Sequence, residues 1–182
     1  MVQRIVITGG PGAGKTTLLR ALERRGYAVV EEAARRIIAD RKRIGLPPRP
    51  SPAAFAQEIL QADLAHYETA GLRASGPVFF DRSLLDALGM LAALDRLPPE
   101  LHERYLRRYP YHPKVFVLPP WQEIYTTDSE RDQTYEESVS VHESIVRWYT
   151  RCGYEVVTVA PGPVEERCEF VLRQIGGVTR DG

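Results

Sequence analysis

Arg4-Ile5-Val6-Ile7-Thr8-Gly9-Gly10-Pro11-Gly12-Ala13-Gly14-Lys15-Thr16-Thr17 is the stretch on which the reading of this chain turns. Residues 4 to 8 form a short β-branched run, the signature of a strand buried on both faces of a parallel sheet. From Thr16, Leu18, Leu19 and Leu22 recur at helical spacing until Arg24-Arg25-Gly26 supplies C-terminal cations and a stop. Between strand and helix, Gly9 to Thr16 satisfies G-x-x-x-x-G-K-[ST]. A chance match anywhere in a chain of this size is on the order of 1%, and the strand-loop-helix context lowers that further.

The chemistry of that spacing is specific. Gly10, Pro11, Gly12, Ala13 and Gly14 form a loop whose backbone N–H groups turn inward onto phosphate oxygens, helped by the helix dipole. Lys15 reaches the terminal phosphates of a bound nucleoside triphosphate, and the Thr16 hydroxyl ligates Mg²⁺. Thr17 stands either within reach of a phosphate or on the helix surface. Lysine is rare in this chain: Lys15, Lys42 and Lys114 are the three among 24 Lys plus Arg, so a lysine in the loop looks selected for its role.

Working outward, strands are expected at Tyr27-Ala28-Val29-Val30, at Val78-Phe79-Phe80 ending on Asp81, at Lys114 to Leu118, and at Glu155 to Val159. Helices are expected from Glu31 through Ile38 into Arg41-Lys42-Arg43, and from Ser51-Pro52 through Tyr67. Further helices are expected over Leu84 to Leu94, Pro99 to Arg108, Thr134 to Cys152 and Val164 to Ile175. Five strands alternating with helices predict an α/β fold of three layers, with a parallel sheet covered on both faces. At 182 residues the chain is about one domain, expected over 1–175, with a polar lid at 122–133 and a frayed tail at 176–182.

Composition bounds the function. Apolar residues at 43% and charged residues at 26% sit near the globular average, which excludes disorder as the main theme. The 24 basic and 24 acidic residues cancel, so no global field favours a nucleic-acid partner, and Arg41-Lys42-Arg43 is a solvated helix end. No signal peptide or membrane span is present in the pattern, which predicts a cytoplasmic protein without a membrane partner. Cys152 and Cys168 are expected to be ordinary reduced thiols, and His66, His102, His112 and His142, which lack ligand spacing, to be structural.

Other candidates cluster where strands end. Asp81 closes the third strand, where a carboxylate meets the metal shell or the acceptor; Ser83 is the better helix cap. Arg82 either holds the acceptor or forms a salt bridge. Glu31 and Glu32 follow the second strand, where a carboxylate either accepts the proton of an attacking hydroxyl or complements a helix N-terminus. Arg35 shares the face of Glu32 and binds the acceptor or pairs with it. Arg131 is the one arginine of the polar stretch from Thr126 to Gln133, where it could stabilise a transferring phosphoryl group. Tyr105, Tyr109, Tyr111 and Trp121 either line an acceptor pocket or pack helices.

In order along the chain, the phosphate loop, Glu32-Ala33-Ala34-Arg35, Asp81-Arg82-Ser83 and Glu130-Arg131 resemble the nucleoside and nucleotide kinase branch of P-loop proteins. More closely, the chain resembles the small bacterial AAA-like ATPases grouped near ribosylnicotinamide kinase, including the tail segments Thr134-Tyr135-Glu136-Glu137 and Val164-Glu165-Glu166-Arg167. The resemblance spans almost the whole chain. It implies strand order 2-3-1-4-5, an adenine-side loop at Pro161, Gly162 and Pro163, and an acceptor site between the helix after Glu32 and the lid. Asp81 departs from the glutamate usual in the deoxynucleoside kinase element, and the lid has one arginine where nucleotide kinases often have several.

Two functions follow as expectations. The first is a kinase-like phosphotransferase moving the γ-phosphoryl group of ATP, with Mg²⁺, to a small nucleoside- or nucleotide-like acceptor. Lys15 and Arg131 then neutralise charge, Thr16 and Asp81 organise the metal, and Glu32 or Asp81 is the base. The second is a nucleotide switch or slow ATPase acting on a protein partner. The chain has no Asn-Lys-x-Asp element for guanine, and Arg82 follows Asp81 where a mechanical ATPase favours an Asp-Glu pair.

Overall fold

The structure is a computed structural model that describes residues 2–10, 12–73, 76–124 and 134–176. In chain order its elements are β1 (Arg4–Gly9), α1 (Lys15–Arg24), β2 (Ala28–Val30), α2 (Ala33–Arg43), α3 (Pro52–Arg73), β3 (Val78–Asp81) and α4 (Leu84–Ala93). There follow α5 (Pro99–Arg108), β4 (Lys114–Leu118), a 3-10 turn (Gln122–Ile124), α6 (Tyr135–Arg151), β5 (Glu155–Thr158) and α7 (Val164–Gln174). Each expected element is present, with shifts confined to termini, where helices and strands are least sharply bounded. The one that matters is α2, which starts at Ala33 and not at Glu31. Glu32 keeps non-helical angles (φ −60°, ψ 117°) as its N-cap residue.

The five strands form one parallel sheet in the order β2-β3-β1-β4-β5. Strand periodicity explains the two cores. Val6, Val78, Phe80, Val115 and Val117 face one side, where Phe55, Ile59, Leu84, Leu88 and Tyr149 from α3, α4 and α6 cover them. Ile5, Ile7, Phe79, Phe116 and Leu118 face the other, against Leu18, Leu22, Cys168 and Val171 from α1 and α7. Both faces are dry, so the strands are apolar without alternation, and each fully buried aliphatic contributes about 1.5–3 kcal/mol.

Register fixes which residues meet at the C-terminal edge. Ile7 pairs with Asp81 and Gly9 with Leu118, while Val30 pairs with Phe80. The loop after β1, the Asp81-Arg82 step after β3 and Glu31-Glu32 after β2 therefore emerge side by side, at the edge where open parallel sheets bind ligands.

Candidate active site

The loop after β1 is shaped by backbone and packing together. Gly9 has φ 144°, and a Cβ there would lie 2.5 Å from the Leu118 carbonyl oxygen, so only glycine lets β1 approach β4 at this point. Gly12 and Gly14 are left-handed at φ 76° and 77°. Helix α1 has no side-chain cap and no acidic residue in its first turn, which leaves its N–H groups and dipole for an anion. Lys15 is 6% exposed, and its Nζ donates to the carbonyls of Gly9 (3.0 Å) and Gly10 (3.1 Å). Burial and then Arg82 pull its pKa down to about 8, with Asp81 and Glu32 opposing and Arg35 adding to the fall. Thr16 is half-buried and Thr17 is exposed on α1.

Beside the loop stands an acidic edge threaded by one arginine. The Asp81 Oδ1 is buried without a hydrogen-bond partner, and burial raises the carboxyl pKa against the pull of Lys15. Arg82 is left-handed at φ 67°, a strained state for a residue with a side chain, costing about 1–2 kcal/mol. Its Nε donates to Glu32 Oε1 at 2.9 Å and its Nη1 to Asp86 Oδ1 at 3.4 Å. Arg35 Nε donates to the other Glu32 oxygen at 3.0 Å, three residues along the chain. Burial alone would raise the Glu32 pKa; Arg82, Lys15 and Arg35 override it and hold the carboxylate ionised. Of the alternatives for Arg35 and Arg82, both form ion pairs, and both pairs converge on Glu32.

Asp86 carries a role that its residue type did not announce. It completes a capping box with Ser83, accepting from the Ser83 N–H at 2.9 Å. It also accepts from Thr8 Oγ1 (2.9 Å) and from the Tyr149 hydroxyl (2.6 Å), which lies 2.7 Å from Ser83 Oγ. The Ser83-x-x-Asp86 spacing was a visible signal for the cap; the contacts to Thr8, Arg82 and Tyr149 come from β1, the β3–α4 step and α6.

Arg167 is the second such residue. It is 5% exposed, its Nη2 donates to the Ala13 carbonyl at 3.3 Å, and its guanidinium lies 5.6 Å from the centre of the Trp121 ring. Its Nε is buried without a partner, and burial lowers its pKa. Through it the first turn of α7, and with it the Pro161-Gly162-Pro163 connection, is tied to the phosphate loop. Pro161 is exposed and Gly162 half-buried, with φ 153° at Gly162.

Pro11, Arg131 and the greater part of the expected lid, together with the tail beyond Gly176, lie outside the described residues. The tyrosines serve packing: Tyr111 is buried edge-to-face against Tyr67 and Phe80, and Tyr109 stands edge-to-face on Tyr67 and stacks with Tyr105. Cys152 and Cys168 are free thiols whose pKa burial raises, that of Cys152 to about 12. His102 packs against Trp148 with Nε2 3.4 Å from Cys152 Sγ, and His112 accepts from the Lys114 N–H. Among the described residues no three His, Cys, Asp or Glu side chains form a metal cage. Mg²⁺ needs no such cage, because it keeps waters and phosphate oxygens and takes one or two protein ligands. The Thr16 hydroxyl and the unpartnered Asp81 oxygen are hard donors of the kind it takes. Among the described residues no helix is long and apolar enough to cross a membrane.

A parallel sheet of order 2-3-1-4-5, with a glycine-rich loop between β1 and α1 and an Asp-Arg step and a paired glutamate at the same edge, is the three-layer P-loop kinase-like fold. The family model described as an AAA domain matches residues 4–167, and the chain belongs to that family. No curated protein matches it by sequence. Among solved structures, the deoxyadenosine kinase from M. mycoides with dCMP and a flexible dCDP bound aligns at TM-score 0.64 and 15% identity, over 96% of this chain and 99% of that one. The same kinase with bound dATP aligns at TM-score 0.59 and 16% identity, over 96% and 100%. NadR protein in complex with NR aligns at TM-score 0.69 and 18% identity, over 96% of this chain and 52% of NadR. At these identities the likeness establishes a shared fold.

Proposed function

We propose that the protein is an ATP-dependent phosphotransferase that moves the γ-phosphoryl group to a small nucleoside- or nucleotide-like acceptor. The observation that carries this reading is that, beside the phosphate loop, Glu32 at the start of α2 accepts from both Arg82, after β3, and Arg35, and that these three residues and Asp81 all act on the Lys15 ammonium of α1. A loop that bound nucleotide for ballast would have no use for a second, acidic half-site beside it.

In this reading the backbone from Gly10 to Gly14 and the N-terminus of α1 hold the triphosphate, and Lys15 exchanges its loop carbonyls for phosphate oxygens. Thr16 and Asp81 would hold Mg²⁺, and that ion would supply charge neutralisation on the phosphates. Glu32 is the base. It is ionised, and Arg82 and Arg35 fix both of its oxygens, so an acceptor hydroxyl meets a carboxylate of one orientation. The acceptor oxygen forms a bond to the γ-phosphorus as the bond to the β–γ bridging oxygen breaks; the hydroxyl proton passes to Glu32, and ADP leaves with the bridging electron pair. Pro161 and Gly162, tied to the loop through Arg167, border the base of the nucleotide. The deoxyadenosine kinase likeness supports this reading at the level of fold.

The test is ADP release with Mg·ATP, alone and against nucleosides and nucleoside monophosphates, with Lys15→Ala as the blank. Acceptor-stimulated release absent from the blank is the expected result. A slow release indifferent to every acceptor would instead favour the nucleotide switch.

A further inference from the structure

Behind the Arg82–Glu32 pair stands a second carboxylate that is itself held still. Asp86 Oδ1 accepts from Arg82 Nη1 at 3.4 Å and from Thr8 Oγ1 at 2.9 Å. Its Oδ2 accepts from the Ser83 N–H at 2.9 Å and from the Tyr149 hydroxyl at 2.6 Å. Four donors fill the roughly four lone-pair sites of a carboxylate. Three of them come from β1, the α4 cap and α6, so Asp86 is anchored by the fold and Arg82 takes its position from it.

The Tyr149 hydroxyl is the member of this set that packing does not explain. Its ring is fully buried in the core beneath α4, where a phenylalanine would fill the same space. A buried hydroxyl is unfavourable unless it is bonded. Because its single proton goes to Asp86, Tyr149 accepts from Ser83 Oγ, 2.7 Å away, and Ser83 Oγ accepts from the Leu85 N–H at 3.2 Å. Each hydroxyl therefore has one orientation, and the Tyr149 hydroxyl is aimed at the carboxylate that Arg82 leans on.

Arg82 needs that support. Its backbone is left-handed at φ 67°, and its N–H donates to the Ile7 carbonyl at 2.9 Å, which sets the direction from which the side chain leaves β3. The guanidinium then spans two carboxylates, Glu32 through Nε and Asp86 through Nη1. The other cation on Glu32, Arg35, is 59% exposed at its side chain and is a weak constraint by comparison. The orientation of Glu32 thus follows from Arg82, that of Arg82 from Asp86, and that of Asp86 in part from Tyr149.

We propose that Tyr149 and Asp86 are positioning residues for the transfer step, acting on the proton acceptor Glu32 through Arg82. This rests on the phosphotransferase reading for the role of Glu32 and adds α6 to the elements that set the geometry of transfer.

The test joins kinetics to a direct view of the ion pair, the exchange rate of the Arg82 Nε proton in isotope-labelled protein, assigned by its loss in Arg82→Lys. Tyr149→Phe should speed that exchange by about tenfold or more. It should lower kcat by about tenfold or more and leave KM for Mg·ATP unchanged. Asp86→Asn should do the same, and it keeps the test in force if Tyr149→Phe folds poorly. In a Glu32→Gln background Tyr149→Phe should cost nothing further, because the path ends at Glu32. Trp148→Phe, which removes the neighbouring bond from α6 to the Leu85 carbonyl, should keep wild-type exchange and kcat. Wild-type exchange or kcat in Tyr149→Phe, a full repeat of its loss on Glu32→Gln, or an equal loss in Trp148→Phe would each overturn the proposal. Failure of the phosphotransferase reading has a different appearance: no acceptor stimulates ADP release by wild type, while the Arg82 proton still loses its protection in Tyr149→Phe.

Discussion

Arg82 Nε donates to Glu32 Oε1 across 2.9 Å, joining residues fifty positions apart at the ends of neighbouring strands. The pair does more than neutralise two charges. Glu32 is only 13% exposed at its side chain and would gain a proton there without help; the arginine keeps it ionised, and the carboxylate holds a strained left-handed arginine in place.

If Glu32 takes the hydroxyl proton, Glu32→Gln should lower kcat by about 100-fold or more while Mg·ATP binding changes little. Arg82→Lys keeps a charge but loses the planar fork that reaches Glu32 and Asp86 together, and should lose activity similarly. Steady-state kinetics of both single variants and the double variant would show a strongly non-additive pair. Additive losses would mean that the two residues act independently.

The Lys15 pKa makes nucleotide binding sensitive to pH. A phosphate beside the ammonium raises a pKa that burial has lowered to about 8, so binding above that pH takes up a proton. Affinity for Mg·ATP should fall as pH rises from 8 to 10, and calorimetry in buffers of different ionisation heat should show proton uptake at pH 8.5 but little at pH 7.

The same shift has a sign in stability. The folded chain binds fewer protons at Lys15 than the unfolded chain between pH 8 and 10.5, so this residue makes stability rise with pH across that window. Lys15→Met should flatten the rise and abolish nucleotide-induced stabilisation while leaving the fold intact. Denaturant midpoints at pH 7, 8 and 10 for both proteins, with circular dichroism as the check on fold, would measure it.

Gly9→Ala should destabilise the fold by about 3 kcal/mol, because the new methyl would meet the Leu118 carbonyl at 2.5 Å and the backbone at φ 144° excludes it. Gly10→Ala meets its nearest atom at 3.5 Å, an ordinary contact, so its effect should fall on nucleotide affinity and not on the unfolding midpoint.

Asp86→Ala strands partners at Thr8, Arg82, Ser83 and Tyr149, and should lower stability by about 3 kcal/mol. Asp86→Asn retains part of the network and should lose less. Equal losses would mean that the carboxylate charge, and not the hydrogen-bond geometry, holds the arginine.

The sequence by itself determined the sheet and the loop, because these rest on local rules. β-branched runs form buried strands wherever they occur, and a glycine-rich turn before a helix binds anions through its own backbone. For that reason Ile5 to Gly9, Asp81 and the Ser83 cap were legible from spacing, and the resemblance carried the strand order correctly. Tertiary structure decided what the charges do. Whether Glu32 caps a helix or serves a site depends on Arg82, fifty residues away, and between the two readings open for Arg35 and Arg82, acceptor binding or an ion pair, only the packed chain shows both paired with that carboxylate. Asp86 and Arg167 were hidden for the same reason: a carboxyl on a helix reads as solvated until the fold removes the water, and an arginine reads as surface until it meets Ala13 and Trp121. Burial and long-range pairing are properties of the packed chain, and they set both the protonation and the reach of every group at this edge.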